Sequence, residues 1–357
     1  MQVALIGLAQ SGKSTLFSAV TEGQVHTRAG ASHQADRAVV TVPDERLEKL
    51  AEVMQPKKVT HATIELLDFP GLSFADEPGR HEARRIVAQG RQVDMLVWVI
   101  RGFHNDSVAA YRDRVDPAKD LEELKNELLL ADLELVANRI EKLRASITKP
   151  TPHVEQDKRE LALMERCHEA LENVRNIREV IQSEEEEKLV RSFGFLTLKP
   201  ILAVVNIDED DIGKSALLSP EQAGYEVMSL SAQIESELAV LAPEERQVFL
   251  QDMGLEVMAK DRFLQKCYRA LQVISFFTFV SGEVRAWTVP SGSTAVEAAG
   301  AIHNDIQRGF IRAETVHWED FVAAGDMKAA KAAGKVRLEG KTYQVQDGDI
   351  ITFRFNV

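Results

Sequence analysis

The sequence predicts a mixed α/β chain: a parallel-sheet domain, split by an antiparallel helical hairpin and followed by a small β-rich module. Three observations predict it. Short apolar runs at 3–6, 64–67, 93–100 and 200–205 alternate with amphipathic stretches, as in a sheet covered on both faces. Between 118 and 198 the apolar spacing changes to fours and threes, the mark of paired helices. From Val284 onward, β-rich runs are separated by Gly340 and by Asp347-Gly348-Asp349.

The totals set bounds. A chain of 357 residues is long enough for two or three domains. Its 45% hydrophobic and 28% charged content is that of a soluble globular protein. A net charge of −13 argues against a broad nucleic-acid surface, and no sequence-specific DNA binding is expected. Cys167 and Cys267 suggest neither a disulfide framework nor a zinc site and fit a reducing, cytoplasmic setting. No apolar run approaches the ~18 residues of a membrane span, and the chain opens directly on a strand, so neither a membrane anchor nor a signal peptide is expected.

The first element is Val3-Ala4-Leu5-Ile6, followed by Gly7-Leu8-Ala9-Gln10-Ser11-Gly12-Lys13-Ser14-Thr15 and a helix-forming run. Strand, Gly-x4-Gly-Lys-Ser and helix is the order a phosphate-binding loop requires. Glycines let successive N–H groups, here of Ala9 to Thr15, turn toward phosphate oxygens, and the helix N-terminus adds positive potential. Lys13 brings a mobile charge to the β- and γ-phosphates, and the Ser14 hydroxyl is a Mg²⁺ ligand. Residues 23–37 read as a polar loop where a first switch lies; Thr27 and Ser32 are both candidates to complete the metal shell.

Next, Ala38–Val42 is β-rich, and Pro43 opens a short helix through Met54. The strand 62–67 ends in Asp68-Phe69-Pro70-Gly71, where Asp68 would hold Mg²⁺ through water and the Gly71 N–H would meet the γ-phosphate. The following residue is Leu72, which can neither donate nor accept a hydrogen bond to an attacking water as a Gln would. Ser73–Arg85 reads as a mobile second switch, and 93–100 as a doubly buried strand. Leu129, Leu133, Val136, Ile140 and Leu143 then define one helix stripe, and Leu163, Cys167, Ala170, Val174, Ile177 and Ile181 a second. Thr148–Pro152 is the turn between them.

At Lys199 the α/β texture returns. The strand 200–205 ends in Asn206-Ile207-Asp208-Glu209, and 225–230 leads into Ser231-Ala232. These occupy the places of the Asn-Lys-x-Asp and Ser-Ala elements that bind guanine in GTPases. Ile207 replaces the Lys that packs over the base, and Glu209 is one carbon longer than Asp, which weakens readout of the two guanine donors. Phe263–Leu271 reads as a helix and 274–279 as a strand. In the last module, 284–289, 335–338, 341–345 and 350–355 read as strands, with one main helix over 294–306.

Taken together, these residues resemble the YchF/Obg-like ATPase family of translation-factor-related P-loop proteins, over essentially the whole length. The resemblance is carried by Asn206–Glu209 with Ser231–Leu238, Gly282–Pro290, Gly309–Glu314, Gln346–Ile350 and Phe353–Val357, with Val42–Leu47 and Glu127–Leu133 in support. It implies a P-loop NTPase G domain (1–117 and 199–274), an inserted antiparallel coiled-coil hairpin (118–198) and a C-terminal β-grasp-like TGS domain (275–357). It also implies ATP binding in preference to GTP, slow Mg²⁺-dependent hydrolysis and association with ribosomes. The chain departs from the family pattern at Ala9, Gln10 and Ser11, where Pro, Asn and Val are usual, and around Ser32 in the first switch. The family's Asn is associated with K⁺-stimulated hydrolysis in related enzymes; with Gln10 in its place, K⁺ stays an open expectation. The His proposed to assist hydrolysis in the family aligns with Ala110, near His104. Three readings follow: a slow nucleotide-switched ATPase, a nucleotide-binding scaffold with little or no turnover and, most remotely, a small-molecule P-loop kinase.

Overall fold

The computed structural model describes residues 1–23, 35–148 and 152–356. Thr27 and Ser32, the first-switch candidates, lie outside the described residues, as do Lys149, Pro150 and Thr151 of the hairpin turn.

In chain order, β1 (Gln2–Ile6) and α1 (Lys13–Val20) precede β2 (Asp36–Thr41), α2 (Glu45–Met54), β3 (Lys58–Thr60) and β4 (Thr63–Asp68). Next come α3 (Glu77–Gln89), β5 (Met95–Arg101), α4 (Pro117–Ser146), α5 (Val154–Glu172) and α6 (Glu184–Phe193). β6 (Ile201–Asn206), α7 (Pro220–Ala223), β7 (Glu226–Leu230), α8 (Ala232–Val240) and α9 (Pro243–Asp252) follow. The chain continues through α10 (Ala259–Ala270), β8 (Val273–Val280), β9 (Glu283–Pro290), α11 (Ala295–Ile302) and α12 (Asn304–Arg308). It closes with β10 (Phe310–His317), α13 (Trp318–Ala324), α14 (Met327–Ala332), β11 (Arg337–Glu339) and β12 (Asp349–Phe355). These elements form two compact units, Met1–Ala38 with Glu65–Gly254, and Val39–Ile64 with Leu255–Val357.

The sheet of the first unit has the order β2-β4-β1-β5-β6-β7. β1 pairs in parallel with both β4 and β5, and β5–β6 and β6–β7 are parallel as well. Strand order reverses at β1, so the carboxyl ends of β1, β4, β5 and β6 open onto the crevice where such sheets bind ligands. β5 and β6 are buried along their whole length, which is why their sequence runs are continuously apolar.

Helices α4 and α5 pack through Val136, Ile140 and Leu143 against Leu163, Met164, Cys167 and Leu171. The second stripe does not continue as one helix to Ile181. α5 stops at Glu172, and Val174 is 78% exposed with φ +53. The Val174 N–H bonds the Leu171 carbonyl and the Arg175 N–H that of Ala170, a Schellman ending with valine where glycine is usual. Ile177 rejoins the same core from a separate 3-10 turn. At the root of the hairpin, wholly buried Asp132 accepts from Arg91 Nη1 at 2.5 Å, from the Thr197 N–H and hydroxyl, and from the Leu196 N–H. The stretch read as a second switch is mostly helix: Asp76 caps α3 by accepting from the Gly79 N–H at 2.7 Å.

The sheet of the second unit has the order β11-β10-β12-β8-β9-β3, with β12–β8 and β3–β9 parallel. α11 covers a core of Phe276, Val289, Phe310, Ala313, Val345 and Ile351, and its start is fixed by a Thr294/Glu297 capping box. The helix predicted over 294–306 is two, α11 and α12, divided at His303, whose imidazole accepts from the Asp305 N–H. The run 341–345 is not a strand. Only a single bridge, Thr294–Gln344, forms there, while the Ala295 and Val345 amides bond the Tyr343 and Ser293 carbonyls. Among the described residues no helix is long and apolar enough to cross a membrane.

Candidate nucleotide-binding site

The site begins where β1 ends. Between Ile6 and Lys13 the backbone curls, with Gln10 (φ 62) and Gly12 (φ 81) in the left-handed region. Gly12 leads into α1 without a side-chain cap, so the first-turn amides have no side-chain acceptor there. Two glycines are dictated by close approach: a Cβ on Gly7 would fall 2.4 Å from the Val99 carbonyl oxygen, and one on Gly12 2.1 Å from Asn206 Nδ2. Ser14 and Thr15 open α1 beside Lys13. Within the loop, the buried Ser11 Oγ has no hydrogen-bond partner among the described residues.

β4 delivers Asp68 next to this loop. The Lys13 ammonium pairs with the Asp68 carboxylate, and both are buried. Past it, the Ala9 N–H donates to the Leu72 carbonyl at 2.8 Å and the Leu72 N–H to the Gly7 carbonyl at 2.9 Å. Gly71 is pressed against the loop; a Cβ there would meet Ala9 Cα at 3.1 Å. The Leu72 side chain is 1% exposed and belongs to the apolar core with Leu8, Phe69 and Phe74. Ala110, half-buried, offers only a methyl.

At the other end, Asn206 Nδ2 donates to the Ser11 carbonyl at 3.2 Å and Asn206 Oδ1 accepts from the Ala232 N–H at 2.9 Å. Its amide is therefore a strut between the phosphate loop and the Ser231–Ala232 turn. Ser231 and Ala232 are buried at the start of α8, Ile207 is 7% exposed, and Glu209 opens a 3-10 turn.

A cavity of about 860 Å³ joins the two ends, bounded by Gln10–Thr15, Gly71, Asn206–Asp211 and Ser231–Ile234. Leu8 and Lys214 also line it, and a further stretch of wall, Phe103, His104, Asn105 and Val108, carries no motif; its sequence clue is that it follows a buried strand of the parallel sheet. Of the expected residues, Gln10–Thr15, Gly71, Asn206, Ile207, Glu209, Ser231 and Ala232 line this one cavity and Asp68 meets it through Lys13, whereas Ala9 does not line it, its N–H being taken by the Leu72 carbonyl.

A glycine-rich loop between strand and helix, a strand-end carboxylate and two further loops at the crest of a parallel sheet define a P-loop nucleotide-binding protein. Residues 2–139 match a family profile described as 50S ribosome-binding GTPase, and residues 273–356 match YchF-GTPase_C, described as a protein of unknown function. The chain is 40% identical to the "Ribosome-binding ATPase YchF" of Bacillus subtilis, covering 100% of both chains. It is 38% identical to the protein of that name from Haemophilus ducreyi, over 99% of this chain and 98% of that one. The solved structure of the Schizosaccharomyces pombe YchF GTPase superposes with a TM-score of 0.85 at 29% identity, covering 99% of this chain and 97% of that one. The chain belongs to the YchF family.

Proposed function

We propose that this protein binds a nucleoside triphosphate with Mg²⁺, ATP in preference to GTP, hydrolyses it slowly and acts on the ribosome. The observation that carries the reading is the single cavity with Lys13 and the α1 N-terminus at one end and the Asn206 and Ser231–Ala232 loops at the other. In this reading the Gln10 and Gly12–Thr15 amides and Lys13 hold the phosphates, and Gly71 meets the γ-phosphate; the Ala9 amide, expected among them, is taken by the Leu72 carbonyl. The Ser14 hydroxyl and, through water, the Asp68 carboxylate would hold Mg²⁺. Both are hard oxygen donors, the kind Mg²⁺ takes when phosphate supplies the rest of its shell. Bound there, the metal would neutralise developing charge on the phosphates. Because Asp68 pairs with Lys13, nucleotide entry exchanges that ion pair for contacts to phosphate and metal. Ile207 and Glu209, where GTPases have Lys and Asp, support the ATP preference. Ribosome action rests on the relatives' names. Cytoplasmic location follows from that role, and K⁺ stimulation is open to test because Gln10 holds the position of the family's Asn.

A second reading, a nucleotide-binding scaffold with little turnover, is favoured by one observation. Leu72 is sealed in the core and Ala110 presents a methyl, so neither can orient a water. Titration with ATP and GTP, followed by single-turnover hydrolysis with and without ribosomes, K⁺ and EDTA, separates the readings. Phosphate release above the Lys13→Ala control supports the ATPase. Tight ATP binding with no release in any condition supports the scaffold. Preference for GTP contradicts the base reading.

A further inference from the structure

Where β10 ends and β11 and β12 begin, the second unit holds a cavity of about 310 Å³. That is the low end of the ~300–1,000 Å³ typical of small-molecule sites. Asp349, wholly buried at the start of β12, forms part of its lining. One carboxylate oxygen has a structural use. Asp349 Oδ2 accepts from the Tyr343 hydroxyl at 2.6 Å and from the Gln346 N–H at 3.0 Å, closing the turn before the strand. The other oxygen has none: Oδ1 makes no hydrogen bond among the described residues. Arg337 Nη2 lies 3.5 Å from it but donates to the Tyr343 hydroxyl, at 2.8 Å. A second unpartnered atom is on the same face. Across the sheet His317 pairs with Asp349 and Thr315 with Arg337, so Thr315, two residues from His317, faces the same way as Asp349. The Thr315 hydroxyl is wholly buried and also without a partner among the described residues. Two such atoms are costly unless a bound group completes their hydrogen bonds.

The rest of the lining supplies both signs of charge. Lys335 and Arg337 are the cations and Asp320 and Asp349 the carboxylates, beside His317 and Gln346. A lone cation here would face Lys335 and Arg337, and a lone anion would face Asp349; a zwitterion is attracted by both. Because Arg337 is only 3.5 Å from Asp349 Oδ1, the two ligand charges must sit on neighbouring atoms, as they do on one α-carbon. We propose that this cavity binds a free α-amino acid, its ammonium on Asp349 Oδ1 and the Thr315 hydroxyl, its carboxylate on Lys335 and Arg337. Entry exchanges the Lys335–Asp320 pair, 2.9 Å long and half-exposed, for the ligand carboxylate; exposed pairs of that kind contribute little to stability. The site lies wholly within the second unit and is independent of the nucleotide reading.

Ligand-detected NMR and thermal shift on the full chain test this with the standard amino acids, one at a time. Expected is binding of at least one, with a dissociation constant of roughly 0.01–1 mM, and roughly tenfold weaker binding of its N-acetyl and amide derivatives, which each lack one charge. Thr315→Val, Lys335→Gln and Asp349→Asn should each weaken binding by roughly fivefold or more. Thr315→Val removes a hydroxyl that has no partner, so its urea midpoint should not fall, which separates a ligand contact from a structural one. If Asp349→Asn fails to fold, Thr315→Val and Lys335→Gln decide. Three results each overturn the proposal: no amino acid bound up to about 10 mM, equal binding of the N-acetyl or amide form, or affinity unchanged in both Thr315→Val and Lys335→Gln.

Discussion

Replacing Gly12 by alanine tests the geometry on which the site depends. The new Cβ would lie 2.1 Å from Asn206 Nδ2, at a backbone φ of +81. Two costs follow. An L-residue in the left-handed region loses about 1–2 kcal/mol. Relieving the overlap displaces a 5%-exposed amide that bonds the Ser11 carbonyl and the Ala232 N–H, and two such bonds contribute about 1 kcal/mol each, more where a buried donor is left unpaired. The sum is about 3–5 kcal/mol, which corresponds to a rise of roughly 10²-fold to several thousandfold in the ATP dissociation constant if binding demands the native loop. Isothermal titration of Gly12→Ala, Asn206→Ala and the double variant measures it. Because Asn206→Ala removes the atom that Cβ overlaps, the double variant should show about 1–3 kcal/mol of favourable coupling. Binding by Gly12→Ala within threefold of the parent, or strictly additive losses, would refute the reasoning.

Three further outcomes follow from buried groups. Leu72→Gln restores the side chain that orients water in Ras-like enzymes, yet here it buries a carboxamide in an apolar core; urea unfolding should show a loss of about 2–4 kcal/mol, and single-turnover assays no gain in hydrolysis. Asp132→Ala removes the buried carboxylate that pairs with Arg91 and accepts from the Leu196 and Thr197 amides, so the first unit should lose about 3–5 kcal/mol in denaturant unfolding. Burial holds the Lys199 ammonium, which donates to the Val93 carbonyl, below its ordinary pKa of 10.5. Between the lowered folded value and 10.5 the unfolded chain binds the extra proton, so stability rises with pH across that window. In Lys199→Met this part of the rise in urea midpoint should disappear.

Some of the architecture was legible because local chemistry dictates it. The phosphate loop could be read from Gly7, Gly12, Lys13 and Ser14, since each residue type answers a local need of backbone or charge. The buried strands β5 and β6 announced themselves by continuous apolar runs. Element ends were less legible. Val174 does the work of a C-terminal glycine, and 341–345 has a strand's composition but meets only one bridge partner. Whether such a run becomes a strand depends on what edge it meets, which local propensity does not encode.

The sequence by itself determined where phosphate would bind, and with what side chains, because that grip is built from consecutive residues whose conformations are locally set. Only the tertiary structure decided what the distant residues do. Asn206 and Asp208, read as parts of a base motif, are struts to Ser11, Ala232 and His104. Leu72 is a core residue as well as a missing glutamine, Lys13 is paired with Asp68, and Arg101 ties a loop that no motif marks to Gln10 of the phosphate loop. Val39–Ile64, early in the chain, folds with the C-terminal residues. The physical reason is common to all of these: a hydrogen bond or ion pair between residues far apart in sequence exists only once the sheet has brought the strand ends together, and no spacing along the chain records it.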